Sequence, residues 1–206
     1  MISLLSQYEH IADGLATGGY AIVDDFLSLS EVNSILATEE FGNALDQFRK
    51  AGTGQDRQIN ATIRGDYIQW LDRRSASHEV TVYLKKLEGL LVFLNRALFL
   101  SLKDFEIHKT VYPSGAHYER HLDQFREHDH RRLSIICYLN VGWEERDGGQ
   151  LRLFLPAGPF DIYPQAGRLV CFRSNALEHE VLPATRNRLS ITGWILDQLV
   201  ELRHLS

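Results

Sequence analysis

After Leu102 the hydrophobic period of the chain drops from 3.6 to 2 and stays there almost to the C-terminus. Alternating apolar runs predict short strands at about 105–112, 118–123, 131–140, 150–155, 160–163, 168–173, 178–182 and 188–196. Turn signals separate them at Pro113-Ser-Gly115, Asp147-Gly-Gly149, Pro156-Ala-Gly158, Pro164-Gln-Ala-Gly167 and Pro183-Ala184. A short alternating strand is apolar on one face only and must bury that face against another sheet. Eight of them in regular succession therefore predict an all-β barrel or jelly roll.

The first hundred residues carry a different pattern. Ile2, Leu4, Leu5, Tyr8, Ile11, Ala12 and Leu15 recur at helical spacing until Gly18-Gly19 stops them. Tyr20–Val23 is a short predicted strand, and Ser28-Leu-Ser-Glu31 offers a capping box for a second helix running to about Glu40. Residues 41–57 dissolve into glycine and polar side chains, which predicts a mobile loop. Gln58–Trp70 regains strand character around Arg64-Gly-Asp66, read as a turn between two short strands. Ser77 caps a long helix whose stripe of Val80, Tyr83, Leu84, Leu87, Leu90, Leu91, Leu94 and Leu98 should pack against the sheet as core.

A chain of 206 residues with 44% hydrophobic side chains can build one sizeable core. We expect a single domain over 1–206, with helical support over 1–104 and the β core over 105–197. The apolar window Leu84–Leu102 contains Lys85, Lys86, Glu88, Asn95 and Arg96, so it reads as a packed helix and not a membrane span. No signal-type segment opens the chain. A net charge of −5 and a pI near 6.0 argue against a surface built to bind nucleic acid. Cys137 and Cys171 lie in apolar strand-like runs without metal-type spacing, which predicts buried free thiols and a reducing, cytoplasmic setting.

The chemistry centres on His121-x-Asp123. Residues two apart on a strand share a face, so both can hold one metal ion. Such a pair is weakly specific, matching about one three-residue window in a thousand. His179, in Leu177-Glu-His-Glu-Val181, completes a two-histidine, one-carboxylate set that leaves coordination positions open. Non-haem Fe(II) oxygenases use this set, and catalytic zinc tolerates it. Arg188 tips the balance to iron. It starts the last strand nine residues past His179, where a guanidinium can take the far carboxylate of a chelating dicarboxylate, 2-oxoglutarate. Tyr138 can add a phenol hydrogen bond to the same carboxylate, and Arg186 is the competing cation.

Lys109-Thr-Val-Tyr112-Pro, His121-Leu-Asp123, Tyr138-Leu-Asn140, Gly148-Gly-Gln-Leu-Arg-Leu-Phe154, His179-Glu-Val181, Arg188 and Trp194 together resemble the prolyl-hydroxylase branch of the Fe(II)/2-oxoglutarate dioxygenases. The likeness extends to the hypoxia-inducible-factor-type enzymes and their bacterial relatives. Gln58-Ile-Asn-Ala-Thr-Ile-Arg-Gly-Asp-Tyr-Ile-Gln-Trp70 is similar to the loop that closes over substrate in that branch, which places a substrate loop at about 42–72. The resemblance implies a double-stranded β-helix with N-terminal helices outside it. It makes His121, Asp123 and His179 the Fe(II) ligands and catalytic centre, with Arg188 and Tyr138 on the distal carboxylate of 2-oxoglutarate and Tyr112 near its chelating end. Arg64, Asp66, Trp70, Arg131 and Trp194 would stand at the substrate mouth.

The implied reaction consumes O₂ and 2-oxoglutarate, with ascorbate as a reductant, and hydroxylates a prolyl residue of a protein with release of succinate and CO₂. Elongation factor Tu is the implied target if the chain is bacterial, with no nucleic-acid or membrane partner. The sequence is expected to lack the zinc-finger extension that some animal members carry before the domain, and residues 42–57 match nothing specific. A free amino acid or small-molecule substrate, and a non-catalytic module that binds 2-oxoglutarate or iron, remain as alternatives. A zinc hydrolase is disfavoured because no general base stands beside the ligands. His117, His128 and His130 read as solvated loop residues, His108 as packed, and Trp143-Glu-Glu145 as an exposed loop.

Overall fold

The structure, a computed structural model, describes residues 3–42, 49–50, 63–123 and 130–200. Two antiparallel sheets face each other as a jelly roll, the architecture expected from the strand pattern. The major sheet contains β1 (Tyr20–Val23), β2 (Arg49–Lys50), β3 (Tyr67–Trp70), β4 (Asp104–Tyr112), β6 (Arg131–Tyr138), β9 (Leu169–Arg173) and β11 (Arg188–Leu196), in the order β1-β9-β6-β11-β4-β3-β2. The minor sheet runs β5-β10-β7-β8, from β5 (Tyr118–His121), β7 (Leu151–Leu155), β8 (Gly158–Ile162) and β10 (His179–Val181).

The two-residue side-chain period divides each central strand between two cores. Leu133, Ile135 and Cys137 of β6, Leu169 and Cys171 of β9, and Ile191 and Ile195 of β11 face outward. There they meet the apolar stripes of α1 (Leu4–Thr17) and α4 (His78–Leu98). The alternate residues, among them Ile136, Tyr138, Val170 and Phe172, face the minor sheet and its Leu151, Leu153 and Val181. The helices thus stiffen one sheet from behind, and the inner face of that sheet is left to build a site against the other. Both cysteines are buried and free.

The capping box of α2 (Leu29–Leu36) forms as expected, with Ser28 N–H donating to Glu31 at 2.7 Å and Glu31 N–H to Ser28 Oγ at 3.2 Å. Lys86 of α4 donates to the same Glu31 carboxylate at 2.9 Å and ties the two helices. The helix stops at Leu36, short of Glu40. The Thr38 hydroxyl donates to the Ile35 carbonyl at 2.7 Å, competing for the helix's own acceptor, and α3 (Glu39–Gly42) starts afresh.

Of the two short strands expected around an Arg64-Gly-Asp66 turn, the first lies largely outside the described residues and the second is β3. Tyr67–Trp70 pairs with β4 on one side and with Arg49–Lys50 on the other, while Arg64 bridges to Tyr118 of the minor sheet. This segment therefore crosses from one sheet to the other. Most of the loop predicted over 41–57 lies outside the described residues. No helix among the described residues is long and apolar enough to cross a membrane.

Candidate active site

β5 ends on His121 and β10 begins on His179, and the two are directly paired in register, with ring centroids 4.2 Å apart. Asp123 follows two residues past His121, beyond the end of the strand expected to run to 123. One nitrogen from each ring and one carboxylate oxygen all lie within 4.8 Å of one another. Their protonation follows from their partners. His121 Nδ1 is 2.7 Å from the Glu119 carbonyl and His179 Nδ1 is 3.2 Å from the Leu177 carbonyl. A carbonyl only accepts, so in the neutral rings Nδ1 carries the proton and Nε2 presents a lone pair.

Those Nε2 atoms stand 3.5 Å and 3.7 Å from the Asp123 carboxylate, with no proton between acceptors. Three converging acceptors without a donor repel one another, and a cation is what completes them. Two imidazoles and a carboxylate suit a first-row divalent metal. Burial raises the Asp123 carboxyl, but the Ser134 hydroxyl bond and the attraction of His179 and His121 whenever either ring is protonated outweigh it and hold the group far below the usual carboxylate range. Burial lowers His179 to about 4, which keeps it a neutral ligand.

Arg188 opens β11 and is 1% exposed, the largest fully buried side chain among the described residues. Its Nε donates to the Gly149 carbonyl at 2.9 Å and its Nη2 to the Tyr138 hydroxyl at 3.3 Å. The guanidinium lies 4.9 Å and 5.1 Å from the Tyr138 and Tyr112 rings. No described carboxylate pairs with it. A buried cation without a counter-anion is costly, and an anionic ligand removes that cost.

Arg186, the competing cation, is exposed. It pairs with Asp147 at 3.6 Å and lies over the Trp143 ring. Trp143 itself is buried, contrary to the exposed loop expected, because it folds back so that its Nε1 donates to the Gly148 carbonyl at 3.0 Å.

Tyr112, Arg64, Asp66 and Trp194 share the cleft with the three converging residues and Arg188. Arg64 and Asp66 form a two-point ion pair at 2.5 Å and 2.9 Å, and the Arg64 guanidinium sits 4.6 Å from the Tyr118 ring, which in turn stacks on His121 at 3.6 Å. Trp70 is half-buried beside the cleft, its ring edge-on to His108 at 4.9 Å. Arg131 is held by Glu106 at 2.8 Å and 3.0 Å and stacks on Trp194 at 3.5 Å. Of the loop histidines, His130 binds Asp197 at 2.9 Å, away from the cleft, and His128 lies outside the described residues.

Thr110, Tyr118 and Ser134 are site residues that the sequence reading did not single out, and His108, read as packed, is packed within the cleft. Parity was the available signal. Residues 108 and 110 share the face of Tyr112 on β4, and that face lies opposite Arg188, Ser190 and Thr192 of β11.

The sequence model of the 2OG-Fe(II) oxygenase superfamily matches residues 107–196. Egl nine homolog 1 of Homo sapiens is 31% identical across 92% of the chain, which covers 46% of that protein. The chain spans between 28% and 58% of the length of the curated relatives reported with it. Among solved structures, a Pseudomonas putida prolyl-4-hydroxylase superposes with a TM-score of 0.84 at 42% identity, covering 93% of this chain and 100% of that one. A Trichoplax adhaerens prolyl hydroxylase, in complex with a hypoxia inducible factor oxygen degradation domain peptide fragment, gives a TM-score of 0.83 at 27% identity, covering 94% and 90%.

Proposed function

The chain belongs to the prolyl 4-hydroxylase family of Fe(II)- and 2-oxoglutarate-dependent dioxygenases, and from that premise we propose that it hydroxylates a prolyl residue of a protein. The balance is one C–H bond of the substrate, O₂ and 2-oxoglutarate going to a C–OH bond, succinate and CO₂. The observation that carries this reading is the pairing of two features in one cleft: three atoms arranged to ligate a metal, and one buried guanidinium that no carboxylate among the described residues pairs.

Iron held by His121, Asp123 and His179 supplies the oxidising chemistry; positioning belongs to the chain. The Arg188 guanidinium takes the far carboxylate of 2-oxoglutarate through its remaining N–H groups, which Gly149 and Tyr138 leave correctly turned. The Tyr138 hydroxyl, accepting a hydrogen bond from Arg188, can donate one of its own to the same carboxylate. Burial raises the Tyr138 and Tyr112 phenols, so both stay protonated donors in the working range. Ile136, Leu151 and Val181 line the cleft and keep water from it. Trp194, Trp70, Arg131 and the Arg64–Asp66 pair form the mouth that receives the substrate chain.

The Trichoplax neighbour's complex with a peptide supports a protein target. If the chain is bacterial, elongation factor Tu is the first candidate to examine, with a cytoplasmic location to match. In vitro, wild type loaded with Fe(II) should form succinate and Asp123→Ala none; turnover by the variant removes the metal assignment. Mass spectrometry of cells with and without the gene should find one added oxygen on a proline. No such proline anywhere would move the reading to a small-molecule substrate.

A further inference from the structure

Asp123 is the one member of the metal set that no strand holds. His121 and His179 are fixed by their mutual register and by Nδ1 donation to carbonyls of their own segments. β5 has already ended when the chain reaches Asp123. Among the described residues, the hydrogen bond to its carboxylate from outside the ligand set comes from across the cleft, Ser134 Oγ to Oδ2 at 2.6 Å.

That bond has a direction. An ionised carboxylate only accepts, so the Ser134 hydroxyl spends its proton on Asp123. Ser134 Oγ is also 2.9 Å from Ser174 Oγ, and in that contact Ser174 must then be the donor. The result is a directed chain, Ser174 to Ser134 to Asp123. Both serines are buried, at 0% and 1% exposure. Ser134 sits on β6 in register with Phe172 of β9 and Trp194 of β11, deep in the major sheet. Ser174 follows β9 directly, and its backbone N–H donates to the Arg132 carbonyl at 3.1 Å. Each hydroxyl is thereby fixed by strands that α1 and α4 support from behind.

We propose that Ser134 and Ser174 are positioning residues, a two-hydroxyl relay that sets the Asp123 carboxylate for the metal and lends it the rigidity of the major sheet. With Oδ2 engaged by Ser134, the carboxylate cannot swing freely into its loop, and Oδ1 keeps its lone pairs for the ion. This rests on the metal reading given above, but its test is separate from turnover. Two buried serines satisfying each other would be worth something to folding alone; only a positioning role moves metal affinity.

The test is Mn(II) binding to the purified protein by calorimetry, with the thermal midpoint of each metal-free variant measured alongside. Outer partners of metal ligands are typically worth about 10–100-fold in affinity. S134A should bind Mn(II) about tenfold or more weakly than wild type. S134T, which keeps the hydroxyl, should recover to within a few-fold. S174A, which leaves Ser134 without its donor, should fall between them. Mn(II) affinity in S134A within twofold of wild type, or S134T as weak as S134A, overturns the relay. If S134A does not fold, S174A decides, and an unchanged affinity there is equally fatal. A wild type that binds no Mn(II) sinks the metal site itself, and the relay with it.

Discussion

His108 is an unusual occupant of the cleft. It is 1% exposed, packs in one cluster with the rings of Trp70 and Trp194 at 4.9 Å and 5.4 Å, and neither ring nitrogen has a hydrogen-bond partner among the described residues. Burial first, then the charges of Arg64 and Arg131, lower its pKa to about 3, with Asp123 pulling weakly the other way. In the unfolded chain the same ring titrates near the ordinary histidine value of about 6.5. Between those values the unfolded state binds the extra proton, so the stabilising neutral form is fully in force above about 6.5 and is lost as pH falls toward 3.

His179 adds the same sign over a window closing at about 4. Each such histidine contributes a slope of up to about 1.4 kcal/mol per pH unit. Metal-free protein should therefore lose urea resistance steeply from pH 6.5 to 4.5. His108→Phe, which fills the space without the proton site, should flatten that decline by roughly half. Equal slopes for variant and wild type would show that His108 is protonated in the folded state.

At the scale of elements, the turn into β7 decides whether Arg188 can be buried. Gly149 has φ +70°, and a Cβ there would meet Ala184 at 3.0 Å, the Trp143 ring at 3.1 Å and Arg188 Cδ at 3.3 Å. Its carbonyl also accepts from Arg188. Gly149→Ala should strain the turn and turn the guanidinium, raising the 2-oxoglutarate concentration needed by Mn(II)-loaded protein about tenfold or more. Mn(II) affinity itself should stay put, because His121 and His179 lie on β5 and β10 and Asp123 just past β5, away from this turn. A loss of metal affinity as large as the loss of 2-oxoglutarate affinity would instead mean that the whole cleft collapsed.

The strands from β4 to β11 were legible because each carries its own alternation, and the structure starts and ends them within a few residues of the sequence reading. What a strand pairs with is written in its neighbours. The pairing of Tyr67–Trp70 with Arg49–Lys50, and the crossing of Arg64 to Tyr118, had no local signature. Trp143 looked exposed because its cover, the Gly148-Gly149 turn, comes after it in sequence. Ser134 reads as one polar residue in an apolar strand until Asp123 is seen above it.

The whole molecule divides the work between unlike sheets. His121 and His179 belong to the minor sheet and Arg188 to the major one. Among the described residues, helices back the major sheet alone, and the apolar cluster between the sheets contains no helix residue. Metal and 2-oxoglutarate together should raise the thermal midpoint more than either alone, since both bind the folded state and each completes a different wall.

The division has a further consequence. A five-carbon diacid can span the gap like a bolt between two plates, one end on the metal and the other on Arg188. In the proposed reaction the bolt would lose one carbon as CO₂, and the keto group by which it gripped would become a carboxylate. The succinate left behind would keep a carboxylate at each end but no keto-acid chelate, so it would hold the plates together less firmly and the proposed reaction would itself loosen the chamber. Amide exchange across β5 and β10 should slow markedly with Mn(II) and 2-oxoglutarate and far less with Mn(II) and succinate. Equal protection by the two acids would mean that the plates are held by something other than their cargo.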